Sequence, residues 1–104
     1  MSRHSYKTDQ GGKTLVTMGW DRPLQQLFLR VERLGAKSAG VVYDSLEENP
    51  GRLSVNYFRE VLRGQGVTAP ESLFVEVQRD RESNAGNRVV RHRDDGTFET
   101  LIEG

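Results

Sequence analysis

The segment 19–23, Gly-Trp-Asp-Arg-Pro, constrains the fold most because it places a polar, proline-containing break between two apolar segments. The segment 14–18 before it is rich in β-branched residues and predicts a strand. The segment 25–34 after it fits two structures, since its apolar residues match one helix face and also alternate as in a strand. We favour the strand, because it can pair with 14–18 as a hairpin around the break.

The motif at 19–24, Gly-Trp-Asp-Arg-Pro-Leu, followed by Leu27 and Phe28, resembles the N-terminal hairpin of some small uncharacterised bacterial proteins. In those proteins Gly-Trp-Asp is followed by Pro-Leu and then by two aromatic residues before a strand. Leu27 stands here in place of the first aromatic residue. The resemblance implies the hairpin and a protein of bacterial type, and it implies no activity.

Two further segments predict helices. Ser54 is a suitable N-cap for a helix through Arg63, whose apolar residues recur at helical spacing. The segment 71–81 fits a strand or a helix by its apolar residues alone. The residues at 68–71, Thr-Ala-Pro-Glu, have the spacing of a capping box, so we expect a helix over about 69–82.

The rest of the chain reads as turns, short strands and one tail. We expect a loop at 35–40, a strand at 41–44, a turn at 49–51, and a hairpin of 88–93 with 97–101 around Asp94-Asp95-Gly96. Residues 1–13 are polar and predict a flexible N-terminal tail, with His4 solvated, ahead of a single domain over 14–104. The fold class is therefore α+β: a small antiparallel sheet with about two helices packed on one face.

Composition narrows the range of functions. The 104 residues carry 15 basic and 15 acidic side chains, which disfavours a dedicated nucleic-acid binder and a polybasic membrane anchor. The absence of cysteine excludes disulfides, thiolate catalysis and cysteine-based zinc sites. Apolar runs fall far short of the ~20 residues that span a bilayer, and the first residues lack the apolar core of a secretory signal. We expect a soluble cytoplasmic protein with no cofactor and no membrane partner.

The turn at Trp20, Asp21 and Arg22 is the first candidate binding site. If Trp20 is partly exposed, it forms an apolar platform with both charge signs beside it, and tryptophan and arginine are frequent in binding hot spots. The alternative is that Trp20 packs against the sheet while Asp21 caps the turn and Arg22 is solvated.

Arg88, Arg91 and Arg93 form the second candidate binding site. A basic hairpin of this kind can follow a phosphate backbone. The alternative is a solvated face whose arginines pair with nearby carboxylates, such as Glu99 on the partner strand.

The sequence indicates an interaction or regulatory module rather than an enzyme. The two histidines lie far apart in the chain, and no metal-ligand, P-loop or nucleophile-elbow motif is present. The expected partner is a protein, including a second copy bound through a sheet edge. The alternative is a weak nucleic-acid-binding accessory protein that uses the basic hairpin.

Overall fold

The computed structural model describes residues 1–10, 12–35, 40–48 and 53–103, and it confirms an α+β fold. Its elements follow one another in the order β1 (Ser2–Thr8), β2 (Thr14–Asp21), β3 (Gln26–Arg33), β4 (Gly40–Asp44), α1 (Val55–Gly64), α2 (Glu71–Ser83), β5 (Arg88–His92) and β6 (Phe98–Glu103). A short 3-10 turn, Ser45–Glu47, follows β4. Residues 36–39 of the loop predicted over 35–40, and the turn predicted at 49–51, lie outside the described residues.

The six strands form one sheet in the order β4-β3-β2-β1-β5-β6. Neighbouring strands are antiparallel except β1 and β5, which run parallel and pair His4 with Val90 and Tyr6 with His92. The sheet is therefore mixed, whereas the sequence predicted an antiparallel one. The parallel pair arises because three antiparallel steps leave β4 running opposite to β1, and the connection through α1 and α2 reverses the chain once more before β5.

The prediction of a flexible tail over residues 1–13 is wrong, because β1 lies in the middle of the sheet. Its inward residues Ser2, His4 and Tyr6 are buried, while Arg3 and Lys7 are exposed. This is the period-two alternation of a strand with one face in the core. The alternation escaped detection because two of the three inward side chains are polar.

The hairpin of β2 and β3 confirms the strand predicted over 25–34. The first strand continues past Gly19 to Asp21, since Trp20 pairs with Leu27 and belongs to the core. The turn is closed by the Asp21 carboxylate, whose Oδ1 accepts a hydrogen bond from the backbone N–H of Leu24 at 3.1 Å.

Both predicted helices are present, and both pack on the same face of the sheet. The cap of α1 is confirmed, because Ser54 Oγ accepts a hydrogen bond from the Tyr57 backbone N–H at 3.0 Å. Helix α2 begins at Glu71 with Pro70 as N-cap and no side-chain cap, so the capping box predicted at Thr68 is wrong. The helical structure itself is explained by the helical spacing of its buried residues Leu73, Phe74, Glu76, Val77 and Asp80.

The core lies between this helical layer and the inner face of the sheet. Its largest fully buried side chains include Tyr6, Met18, Leu29 and Phe58. The predicted hairpin of β5 and β6 is present, and Gly96 in its turn has a φ of 86°, which favours glycine. None of the helices in the described part of the chain is long and apolar enough to cross a membrane.

Candidate functional site

Trp20 does not form an exposed platform. Its side chain is only 6% exposed, and the indole Nε1–H donates a hydrogen bond to Asn84 Oδ1 at 3.0 Å. Asp21 caps the turn and Arg22 is exposed. The hypothesis of a recognition turn required a partly exposed Trp20, so on this point the structure contradicts it. The indole is part of the hydrophobic core, and its hydrogen bond joins it to Asn84 at the C-terminal end of α2.

The three arginines of the second candidate site are not brought together. Arg88 points toward the helices, where its guanidinium bonds Asp80 Oδ1 at 2.8 Å and Glu76 Oε1 at 2.9 Å. Arg91 and Arg93 lie on the opposite face and are exposed, and Arg93 pairs with Glu99 at 2.7 Å. This separation follows from the alternation of side chains along β5.

The two histidines, far apart in the sequence, meet inside the protein. His4 Nδ1 lies 2.8 Å from His92 Nε2, and His4 Nε2 lies 2.5 Å from Asp80 Oδ2. On its other side, His92 Nδ1 lies 2.9 Å from the hydroxyl of Ser72. The expectation that His4 is solvated is wrong, since its side chain is fully buried. We call Ser72, His92, His4 and Asp80 the histidine chain.

Three secondary structure elements hold the histidine chain in place. His4 lies on β1 and His92 on the neighbouring parallel strand β5, while α2 crosses over them and supplies both ends. Asp80 lies in the last turns of α2 and Ser72 in its first turn, eight residues apart. The chain therefore runs along the underside of α2, from a buried carboxylate to a half-buried hydroxyl.

The acidic end of the histidine chain is charge-compensated. Asp80 accepts from Arg88, which also bonds Glu76, so one guanidinium joins two buried carboxylates. Burial by itself raises the pKa of Asp80, but hydrogen bonds from His4, Ser2 and Arg88 outweigh it and hold that pKa below its usual value. Asp80 is therefore ionised at neutral pH and only accepts hydrogen bonds. A cavity of about 530 Å³ lies beside this end and is lined by Asp80, Arg88 and Glu103, among others.

His92 is neutral at neutral pH. Burial, the charge of His4 and the charge of Arg88 lower its pKa to about 4, against a weaker opposite effect of Asp80. The ring also packs against Phe98, with 5.3 Å between the ring centroids and 37° between the ring planes, and it is 3% exposed. A neutral imidazole has one N–H and one bare nitrogen, so His92 donates on one side and accepts on the other.

These constraints determine the direction of the hydrogen bonds when His4 is also neutral. Asp80 accepts only, so His4 carries its proton on Nε2 and accepts at Nδ1. His92 then carries its proton on Nε2, and its bare Nδ1 accepts from Ser72. All donors point from Ser72 toward Asp80. A proton added to His4 reverses both bonds of His92 and makes Ser72 the acceptor.

Tyr6, which pairs with His92 across β1 and β5, takes part in a second set of polar contacts. The Tyr6 hydroxyl donates to Asp94 and accepts from Gln10 Nε2 at 3.2 Å. Burial and the bond to Asp94 raise the pKa of Tyr6, so the phenol is protonated at neutral pH. Residues 1–10, 12–35, 40–48 and 53–103 contain no group of three or more His, Asp or Glu side chains arranged to hold a metal ion.

Strand β6 is the other unusual feature of the molecule. It forms one end of the sheet, and all six of its residues are exposed. Three of them are large and apolar: Phe98, Leu101 and Ile102, which are 40%, 43% and 59% exposed. Edge strands with exposed apolar residues are prone to pair with another chain.

Comparison of the chain with protein-family models, with curated proteins and with solved structures finds no match. The sites above are therefore interpreted from their own geometry. Sequence reasoning missed the histidine chain, and the signal that could have shown it is the alternation of Ser2, His4 and Tyr6 with exposed basic residues.

Proposed function

We propose that the protein is a small interaction module that binds through the outer edge of β6, and that its partner is a second copy of the same chain. The observation that carries this proposal is the exposure of every residue of an apolar edge strand. Two β6 strands that pair side by side join two six-stranded sheets into one. This replaces the recognition turn as the contact surface, because Trp20 is buried.

The backbone of β6 supports edge pairing. Arg93 N–H donates to Thr97 C=O at 2.9 Å, and in an antiparallel pair such bonds alternate along the strand. Glu99 therefore turns its backbone groups toward β5, whereas Phe98 and Thr100 turn theirs outward. An irregularity between Val89 and Val90 shifts the register by one residue, so Glu103 also turns outward.

The residue order of β6 favours a second copy as the partner. In an antiparallel pair centred between Thr100 and Leu101, Phe98 lies opposite Glu103 and Glu99 lies opposite Ile102. No glutamate then faces another glutamate, and the outward backbone groups of Phe98 and Glu103 meet. The strand Phe-Glu-Thr-Leu-Ile-Glu also lacks the lysine and proline that commonly protect sheet edges.

The nucleic-acid alternative stays a prediction, as do the bacterial type and the cytoplasmic location. Of the three arginines in the basic hairpin, Arg88 is paired with two carboxylates and Arg93 with one. No geometry brings them together on one surface, so the interaction module is the better supported proposal. Phosphate binding would weaken steeply as salt rises, whereas apolar edge pairing would persist.

The proposal is tested by the mass of the protein in solution, measured by light scattering over a range of concentrations. We expect a concentration-dependent dimer for the wild type and a monomer for Thr100→Pro, because proline removes an outward N–H and leaves the bonds to β5 in place. Thr100→Ser keeps that N–H and should dimerise. A wild type that stays monomeric, a dimer of Thr100→Pro, or growth into larger assemblies would contradict pairing of β6 with β6.

A further inference from the structure

The Ser72 end of the histidine chain has the features of an activated nucleophile. The hydroxyl is half-buried and lies 2.9 Å from His92 Nδ1, while His92 is itself oriented by His4 and Asp80. A nucleophile hydrogen-bonded to a base, with the base oriented by a further group, is the arrangement that generates reactive serines. Here two imidazoles in series stand between the serine and the carboxylate.

We propose that Ser72 is the nucleophile of an acyl-transfer site that accepts acyl groups from small carboxylic esters. Ser72 Oγ forms a bond to the ester carbonyl carbon, and its proton passes to His92 Nδ1. The bond from that carbon to the alcohol oxygen then breaks, and the proton passes from His92 to the departing oxygen. The products are an acylated Ser72 and a free alcohol, so no other reactant is needed for this step.

The position of Ser72 on α2 supplies the groups that the reaction intermediate requires. The backbone N–H groups in the first turn of a helix have no partner within the helix, and Pro70 offers no side-chain acceptor as N-cap. The N–H groups of Glu71 and Ser72 are therefore donors for the negative oxygen that forms when Oγ adds to a carbonyl. The positive end of the helix dipole favours the same charge.

His4 acts as a positioning residue that determines whether Ser72 is active. With His4 neutral, Ser72 donates to a bare nitrogen of His92; with His4 protonated, His92 Nδ1 carries a proton and cannot accept one. The charged groups around the two rings come from two elements. Helix α2 supplies Asp80 and, behind it, Glu76, and strand β5 supplies Arg88. Phe98 on β6 covers His92, and Tyr6 on β1 is bonded to Asp94. The direction of the hydrogen bond between His4 and His92 therefore determines whether Ser72 faces a bare nitrogen.

The experiment treats the full chain with p-nitrophenyl acetate and locates the acetyl group by mass spectrometry of peptides. General-base assistance contributes roughly a hundredfold or more, so Ser72 should be acetylated at least about a hundred times faster than Ser83. Ser83 is the matched control, since it lies at the other end of the same helix. Ser72→Ala should remove the fast reaction, and Ser83→Ala should not change it.

The pH dependence separates the proposal from a merely reactive surface serine. We expect the rate of Ser72 acetylation to rise through a single titration and then reach a plateau, as a neutral imidazole base requires. A rate that increases in proportion to hydroxide over the whole range would overturn the proposal. Acetylation of Ser72 at the rate of Ser83, or unchanged release of p-nitrophenol by Ser72→Ala, would overturn it as well.

Discussion

The imidazoles of His4 and His92, 88 residues apart in the chain, lie within hydrogen-bonding distance in the protein interior, with 2.8 Å between Nδ1 and Nε2. The parallel pairing of β1 with β5 brings them together, and α2 closes the arrangement with Asp80. The contact makes a segment of polar sequence part of the protein interior.

His4→Ala should lower the free energy of unfolding by about 3 kcal/mol, because it leaves two buried atoms, Asp80 Oδ2 and His92 Nε2, without their hydrogen-bond partner. Urea denaturation measures this loss. Arg3→Ala, one residue earlier on the exposed face, is the control and should change stability by less than about 0.5 kcal/mol. Equal effects of the two substitutions would show that His4 has no special role.

Stability should fall as pH decreases from about 6.5 to about 4. The folded pKa of His92 is lowered to about 4, so in this range the unfolded chain binds a proton that the folded chain does not. The loss is on the order of 3 kcal/mol for a shift of this size. Below this range Asp80, whose folded pKa is also lowered, adds a further loss as it takes up its proton.

Urea denaturation at several pH values measures this dependence, and His92→Gln serves as the comparison. The variant lacks the imidazole, so its stability should change much less between pH 6.5 and 4 than that of the wild type. Parallel pH profiles of the two proteins would rule out His92 as the group responsible.

Gly19→Ala should destabilise the protein by several kcal/mol, because the added Cβ would collide with the backbone oxygen of Ser2 and lie 2.8 Å from the ring of Phe28. Gly64→Ala is the matched control. Nothing lies within 4 Å of a Cβ at Gly64, which ends α1, and alanine is the better helix former. Thermal unfolding of both variants measures the difference in stability. An equally small change in melting temperature at both positions would contradict the prediction.

Trp20 should report a buried environment in fluorescence. Its indole is 6% exposed, so we expect an emission maximum shifted to the blue and weak quenching by acrylamide, both lost on unfolding. Asn84→Ala removes the acceptor of the indole N–H and should cost about 1 kcal/mol. Emission like that of free tryptophan would restore the exposed recognition turn.

Local patterns were sufficient for several elements of the fold. The strand over 25–34 follows from the need for a hairpin partner beside 14–18, whereas the helix Glu71–Ser83 was predicted from a capping box at 68–71 that the structure does not have. The apolar residues of both segments fit two periods, and the structure shows which set is buried: Leu73, Phe74 and Val77 in the helix, and Leu27, Leu29 and Val31 in the strand. The cap of α1 was predicted from another local signal, the preference of serine for the N-cap position, which Ser54 occupies.

The strand β1 and the histidine chain could not be predicted in the same way. The inward residues of β1 include Ser2 and His4, whose burial is stabilised by partners rather than by their own hydrophobicity. Asp80, the partner of His4 on α2, is 76 residues away in the chain. The sequence alone does not show that the two side chains are close in space. The sequence left open whether Trp20 is exposed or packed, and it could not show that α2 supplies the partners of Arg88, Glu76 and Asp80.

The direction of hydrogen bonds along the histidine chain is the central claim, and nitrogen-15 NMR of the histidine rings tests it most directly. At about pH 8 we predict that His4 and His92 both carry their proton on Nε2. Ser72 then donates to His92 Nδ1. A His92 protonated on Nδ1 at this pH, or rings whose signals show rapid exchange between both forms, would contradict the claim.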